Sequence, residues 1–341
     1  MSKSHITIHD LARELNISAS TVSRALHDHP RISKATRDAV RKVAKRYNYQ
    51  PNVMATSLRQ GRSKTVGVIV PRINRNFFSN VIGGMEKILA ASGYQLMICQ
   101  THEKLEDEKA ALQTLVNARV GAIIISVSLE TTGDEHIRAL QDRGIKLFFF
   151  DRIIQSQGTE SVVIDDRLGA YMNTMHLIEE GYRKIIHVAG PEQITIYRDR
   201  KRGYMDAMAG SGIEVLPEWI IEKPVVQAGG EEAFHQAVQL KGGVDAFFCA
   251  GDYAALGVMQ AARESGRKVP DDLGVTGFGN EPFTAFIQPS LTTVDQRGVE
   301  MGKRVAEKLI DCSENDLQPS ECKKTVLKPE LIVRDSSKPN R

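Results

Sequence analysis

The 341-residue sequence predicts an α/β protein with a small all-helical head, and three observations carry that expectation. The first fifty residues hold three short segments with helical periodicity, each behind a capping residue. From Thr65 onward, apolar β-branched runs alternate with amphipathic stretches, and the runs start about 25 to 30 residues apart, the spacing of βα units. The charge is also divided. Residues 1–64 hold thirteen Lys and Arg against four Asp and Glu, a net +9, while the whole chain carries +3, which leaves −6 for the remainder. A basic head on a mildly acidic body is the distribution expected where only the head meets a polyanion. A merely solvated basic face is the plain alternative.

Taken in order, Thr7 followed by Asp10 has the capping-box pattern, and Leu11, Ala12 and Leu15 supply an apolar stripe behind it. Asn16-Ile17 breaks the periodicity. Ser18 can cap a second helix over Ala19 to Leu26, and His27 to Pro30 reads as a loop. Ser33 can cap a third helix in which Val40, Val43, Ala44 and Tyr47 recur on one face. Pro51 stops what precedes it, and Asn52 to Gln60 is a short helix-compatible segment ended by Gly61.

The body reads as two βα series. Strands are expected at Thr65–Val70, Gln95–Cys99, Ala122–Val127 and Lys146–Phe150, then at Lys184–Val188, Trp219–Glu222, Ala246–Ala250 and Gly274–Phe278. Two such series suggest two doubly wound lobes, with a ligand at the carboxyl ends of the strands and between the lobes.

The second helix of the head can be examined by angle. At about 100° per residue from Ala19, Ala25, Val22 and Leu26 fall near about 240°, 300° and 340°, and Ser23, Ser20 and Arg24 near about 40°, 100° and 140°. One face is apolar. The other is small, polar and basic, as a helix lying in the major groove requires: small residues allow close approach, and Arg can take guanine O6 and N7 bidentately. An ordinary helical hairpin is the competing reading of the same geometry.

Three segments sharpen the choice: Thr21-Val22-Ser23-Arg24-Ala25-Leu26, Val40-Arg41-Lys42-Val43-Ala44, and Tyr47-Asn48-Tyr49-Gln50-Pro51-Asn52. Their residues and spacing closely resemble the head of the lactose-repressor/galactose-repressor family of bacterial transcriptional regulators. The resemblance continues through Val66-Gly67-Val68-Ile69-Val70-Pro71, Phe149-Phe150-Asp151-Arg152, Gly181-Tyr182-Arg183-Lys184-Ile185, Asp252-Tyr253-Ala254-Ala255-Leu256-Gly257, Leu291-Thr292-Thr293-Val294 and Leu331-Ile332-Val333-Arg334. It implies a helix-turn-helix head over 1–50, a hinge over 51–62 and a periplasmic-binding-protein type I body over 63–341. The body's lobes are expected at about 63–162 plus 291–322 and about 163–290 plus 323–341, crossed by three strands.

By the same resemblance, Ala19, Ser20 and Arg24 match base-reading positions, and Ser18, Thr21 and Ser23 match positions near phosphates. Asn52, Ala55 and Leu58 fall in the segment that corresponds to the hinge helix, with Leu58 as an apolar wedge for the minor groove. In the body, Arg200 in Arg200-Lys201-Arg202-Gly203-Tyr204, Asp252, Asp151, and Asn76, Phe77 and Phe78 match effector-binding positions. Carboxylates, an Arg fork and an aromatic face suit a neutral polyol. Solvated cation, helix cap and core packing are the bland readings of Arg200, Asp252 and the two Phe. Two departures stand out: Gly279-Asn280-Glu281 replaces the Asp many relatives carry, and Val226 to Gly230 lacks an aromatic that some relatives place against their ligand. A phosphorylated or acidic sugar therefore stays open at this point.

Other classes find little support. Apolar residues make up 41% and charged residues 26%, which excludes a disordered chain, and no apolar run approaches the roughly 18 residues of a membrane span. The N-terminus lacks an apolar leader, and Cys99, Cys249, Cys312 and Cys322 form no C-x-x-C pair, so a reducing cytoplasm is expected. No phosphate loop, dinucleotide fingerprint, zinc helix or nucleophile elbow occurs, so no enzyme activity, cofactor or metal is expected. Asp165-Asp166 could mimic an acid pair, but neighbours in a strand would face opposite ways. A sugar-binding receptor with no DNA role would leave the basic head without a task. The expectation is a cytoplasmic repressor that binds palindromic operator DNA as a homodimer, without a membrane partner, and responds to a small sugar-like effector. Arg24 should read a guanine in each half-site. Arg24→Ala should cost about 1–3 kcal/mol per contact and relax base preference there in a randomised-site selection.

Overall fold

The computed structural model describes residues 6–49, 63–141, 143–154, 159–314 and 323–339. The chain divides into two compact units, one ending at Ser63 and one starting at Lys64.

The first unit holds α1 (Ile8–Glu14), α2 (Ala19–Leu26) and α3 (Lys34–Arg46). The capping box forms: Thr7 Oγ1 accepts from the Asp10 N–H, and the Asp10 carboxylate accepts from the Thr7 N–H. Ser18 and Ser33 accept from the N–H groups of Thr21 and Thr36. Each helix ends at a left-handed Asn or Asp, with φ of 52° at Asn16, 54° at Asp28 and 48° at Asn48. Just beyond, the N–H groups of Ile17, His29 and Tyr49 donate to Ala12, Arg24 and Ala44 and close each terminus. Leu11, Val22, Ala25 and Val40 form the buried core, with Leu15, Leu26, Tyr47 and Tyr49 packed against it. The segment expected to be a hinge, with Asn52, Ala55 and Leu58, lies outside the described residues.

The second unit has two layered lobes. The first lobe contains β1 (Thr65–Val70), α4 (Asn76–Ala91), β2 (Gln95–Gln100), α5 (Leu105–Asn117), β3 (Ala122–Ile125), α6 (Glu135–Gln141), β4 (Lys146–Phe150) and β5 (Glu160–Ile164). The second contains α7 (Asp166–Glu179), β6 (Ile185–Ala189), α8 (Thr195–Gly210), β7 (Ile220–Glu222), α9 (Gln227–Ala237), β8 (Ala246–Cys249), α10 (Asp252–Glu264), β9 (Gly274–Thr276) and β10 (Thr293–Asp295). Then come α11 (Gly298–Glu314), β11 (Lys324–Leu327) and β12 (Glu330–Ile332). The first sheet has the order β11-β5-β4-β3-β1-β2 and the second β7-β6-β8-β9, all parallel. β10 and β12 pair antiparallel.

Strand alternation distributes the core. Val66, Val68, Val70, Phe148 and Phe150 face α4 and α11, while Ile69, Leu147 and Phe149 face α5 and α6. Helices therefore cover both faces, which is why these strands read as continuous apolar runs.

The pairing redraws the lobe boundaries expected from sequence. Thr292 bridges Thr276 of β9, so 291–295 join the second lobe rather than the first. β11 closes the first sheet against β5, so 323–327 join the first lobe rather than the second. The chain changes lobes between Ile164 and Asp166, between Asp295 and Gly298, and between Leu327 and Glu330. Among the described residues, no helix is long and apolar enough to cross a membrane.

His187 in β6 is fully buried between the rings of Phe248 and Tyr204, with centroids 4.6 and 5.2 Å away. Burial drives its pKa down from 6.5 to about 4. As pH falls through that window the unfolded chain takes a proton that the folded chain refuses, so stability is lost on acidification. His187→Phe should reduce the stability lost between about pH 8 and pH 5 by about 2 kcal/mol in urea unfolding, because other titrating groups cancel between the two proteins.

Candidate functional site

Two surfaces invite chemistry, one in each unit. In the first, α2 buries Val22, Ala25 and also Ser23, which is only 4% exposed, and leaves Ser20 and Arg24 outward. The Ser18 hydroxyl lies 2.8 Å from those of Ser20 and Thr21, so the cap and the start of the outward face form one hydrogen-bonded cluster. The polar face is narrower than the angular reading implies: the expected phosphate-side position of Ser23 points into the head.

In the second unit, a cavity of about 480 Å³ opens at the carboxyl ends of the strands and is lined from both lobes. The second lobe supplies Arg200. The α8 segment carrying it lies close against α7 because position 203 is glycine; a Cβ there would collide with the carbonyl of Arg167. Tyr204 anchors the helix by donating to the Ile185 carbonyl at 2.7 Å. Arg200, 3% exposed, then donates from Nε to Asp166 Oδ1 at 2.8 Å and from Nη1 to the Ala250 carbonyl at 2.7 Å, and its guanidinium lies 3.7 Å from the Phe278 ring centroid. Its Nη2 also lies 2.8 Å from Asp166 Oδ1, so the carboxylate faces that edge of the guanidinium. Burial lifts Asp166 to about 7 although Arg200 pulls the other way.

The first lobe supplies Asp151 and Arg152 just past β4. Asp151 sits at φ 58° and accepts from the Ser126 hydroxyl at 3.2 Å; burial raises its pKa against the pull of Arg152 and Arg200. Arg152 Nη1 donates to Glu103 at 2.6 Å, and Arg72 lies 3.8 Å from the same carboxylate. Arg152 Nε is buried without a hydrogen-bond partner, 3.9 Å from Asp151 Oδ2. Phe77 and Phe78 stack edge to face at 5.2 Å, and both line the cavity while belonging to the first lobe's core.

The lobes also touch each other. Arg75 lies 3.7 Å over the ring of Tyr253, and the Asn76 N–H donates to the Glu281 carboxylate. Leu129 packs against Ile194, Ile196 and Tyr197. Among the described residues, no cluster of His, Cys, Asp and Glu is arranged to hold a metal.

The profile of bacterial regulatory proteins of the lacI family matches residues 7–52, and that of a periplasmic binding protein-like domain matches residues 174–337. Over 333 residues, 97% of this chain and 96% of the relative, the sequence is 31% identical to the HTH-type transcriptional repressor CytR of Escherichia coli (strain K12). The chain belongs to the lacI family of bacterial regulatory proteins. It is also 30% identical over 337 residues to the repressor PurR of Photobacterium profundum, covering 97% of each chain. Its fold matches that of the Lac repressor dimer bound to operator and the anti-inducer ONPF, with a TM-score of 0.85 at 23% identity over 98% of this chain and 99% of that one. A CelR–cellobiose complex matches with a TM-score of 0.74 at 25% identity over 97% and 99%. The family is one of DNA-binding transcriptional regulators, and these relatives are repressors.

Within this family framework, Phe77, Phe78, Asp151, Arg200 and Asp252 all line the one cavity, whereas Asn76 does not and contributes its backbone N–H at the rim. The sequence reading missed Glu103, Arg152, Tyr197 and Glu281, which also line it, and Asp166 behind Arg200. Asp165 and Asp166 are not strand neighbours: Asp165 caps α7 by accepting from the Leu168 N–H, and Asp166 opens the helix. The cap of α10 is Gly251, so Asp252 is its first residue rather than its cap. Both Asp252 oxygens are engaged, Oδ1 by the Thr293 hydroxyl at 2.5 Å and Oδ2 by the Glu281 N–H at 2.8 Å. Burial raises its pKa to about 6. Asp252→Ala would leave two buried donors unpaired and should cost about 2–4 kcal/mol in urea unfolding, with Asp252→Asn costing less because it keeps one acceptor.

Proposed function

We propose that this chain is a cytoplasmic transcriptional repressor that binds a palindromic operator as a homodimer and is controlled by a small sugar-like effector held between its lobes. The observation that carries the DNA reading is the outward face of α2, where Ser20 and Arg24 stand exposed on a capped helix whose opposite side is core. In this reading Ala19, Ser20 and Arg24 meet base edges, and Ser18 and Thr21 meet phosphates. Asn52, Ala55 and Leu58 meet the minor groove. One head reads one half-site, so a palindrome calls for two copies.

The effector reading rests on the cavity shared by the lobes, with Arg200 and Asp252 on one side and Asp151, Phe77 and Phe78 on the other. Two solved relatives hold sugars: CelR in its complex with cellobiose and a regulator from Enterococcus faecium with bound ribose. A ligand that spans the lobes biases their arrangement only by its differential affinity for the alternatives, and operator and effector then influence each other reciprocally.

The test is an electrophoretic shift of promoter DNA by the full chain across a salt series. If the head neutralises six or more phosphates, affinity should fall by about 10³-fold or more between about 50 and 200 mM salt. Arg200→Leu should remove the response to a sugar that dissociates the parent from operator. Salt-independent binding would end the DNA reading, and an unchanged sugar response in the variant would end the effector assignment.

A further inference from the structure

The cavity is rich in arginine, yet its positive charge is already used. Arg152 is paired with Glu103 at 2.6 Å, and Arg72 lies 3.8 Å from that same carboxylate. Arg200 is paired with Asp166, Arg75 lies beside Glu281, and Lys223 pairs with Glu232 at 2.9 Å. Asp151 and Asp252 add further carboxylates to the lining. Both guanidinium groups are almost wholly buried and each is held against a carboxylate. A lining whose cations are matched by carboxylates suits a hydroxyl or ring oxygen better than a phosphate, whose charge the neighbouring carboxylates repel.

The backbone supports a dedicated role for Glu103. His102 and Glu103 are consecutive residues with positive φ, 52° and 69°, just after β2. A left-handed pair without glycine is disfavoured by about 1–2 kcal/mol per residue and persists where surrounding contacts hold it. Here those contacts are Arg152 and the Leu129 N–H, which donates to Glu103 Oε2 at 3.2 Å.

We propose that Glu103 acts as a charge filter: by neutralising Arg152 it restricts the cavity to uncharged hydroxylated ligands and excludes their phosphorylated forms. This rests on the effector reading of the same cavity, but its test does not need the effector to be known. Inorganic phosphate and ribose 5-phosphate, each at ionic strength matched with chloride, serve as probes in thermal unfolding of the full chain. The parent should show no phosphate-specific rise in unfolding temperature. Glu103→Gln keeps an acceptor for the Leu129 N–H but removes the charge, and should bind phosphate at least about tenfold more tightly than the parent, read as a phosphate-dependent stabilisation. Glu103→Gln combined with Arg152→Gln should lose the gain. Stabilisation of the parent by either phosphate would overturn the proposal, as would the absence of any gain in Glu103→Gln. If the variants behave as stated yet no neutral polyol releases operator, the filter stands and the effector reading falls.

Discussion

A buried guanidinium must be neutralised where it sits, and the second lobe is arranged around that requirement. An unpaired ion in a protein interior costs several kcal/mol even after relaxation. Arg200 meets the constraint with a carboxylate from the first residue of α7, a carbonyl just past β8 and the face of Phe278 beyond β9. Three separate chain segments must therefore converge on one side chain. Gly203 allows α7 and α8 to approach closely, and Tyr204, one residue on, ties α8 to the start of β6. The R-x-x-G-aromatic segment thus reads as one mechanical unit: the glycine and the aromatic fix the helix, and the helix delivers the charge.

The cavity's other carboxylates depend on backbone conformation more than on helix packing. Asp151 and Glu103 both follow first-lobe strands and both take positive φ. Turning the chain this way at the end of a strand aims a side chain inward that an extended residue would carry onward. Asn280, at φ 50°, does the reverse: its amide group is held by Asp295 and Arg334, and the next residue, Glu281, lines the cavity instead. The acidic residue of Gly279-Asn280-Glu281 therefore stands at the rim, where Arg75 and the Asn76 N–H meet it.

What could be read from the sequence follows how local each cause is. The caps at Thr7, Ser18 and Ser33 involve residues three apart, and all three helices start at the predicted residue. The strands buried on both faces announce themselves as apolar runs, although Gly274–Phe278 proves to be strand only to Thr276. β5, β10, β11 and β12 went unread. β11 is half exposed and carries Lys324 and Thr325, and β10 and β12 are three residues each, paired across more than thirty positions of sequence. The site divides in the same way. Arg200, Asp151 and Asp252 were legible through family motifs, but their partners Asp166, Ser126 and Thr293 lie 34, 25 and 41 residues away, and nothing in a linear pattern joins them. Arg152 was the one clue available, since it directly follows Asp151 and a buried Arg beside a buried Asp still needs a second acid.

The contacts between the lobes connect this geometry to control. The contacts that hold the lobes together at the rim, Arg75 on Tyr253, Asn76 on Glu281 and Leu129 among Ile194, Ile196 and Tyr197, involve no ligand. They favour this arrangement whatever the cavity holds, so in the proposed mechanism a ligand shifts the balance only by the contacts it adds beyond them. A ligand that reached Arg200 and Asp252 from one lobe and Asp151, Phe77 and Phe78 from the other would add such contacts on both sides at once, and an anionic one would bring its charge beside Glu103 and Asp151.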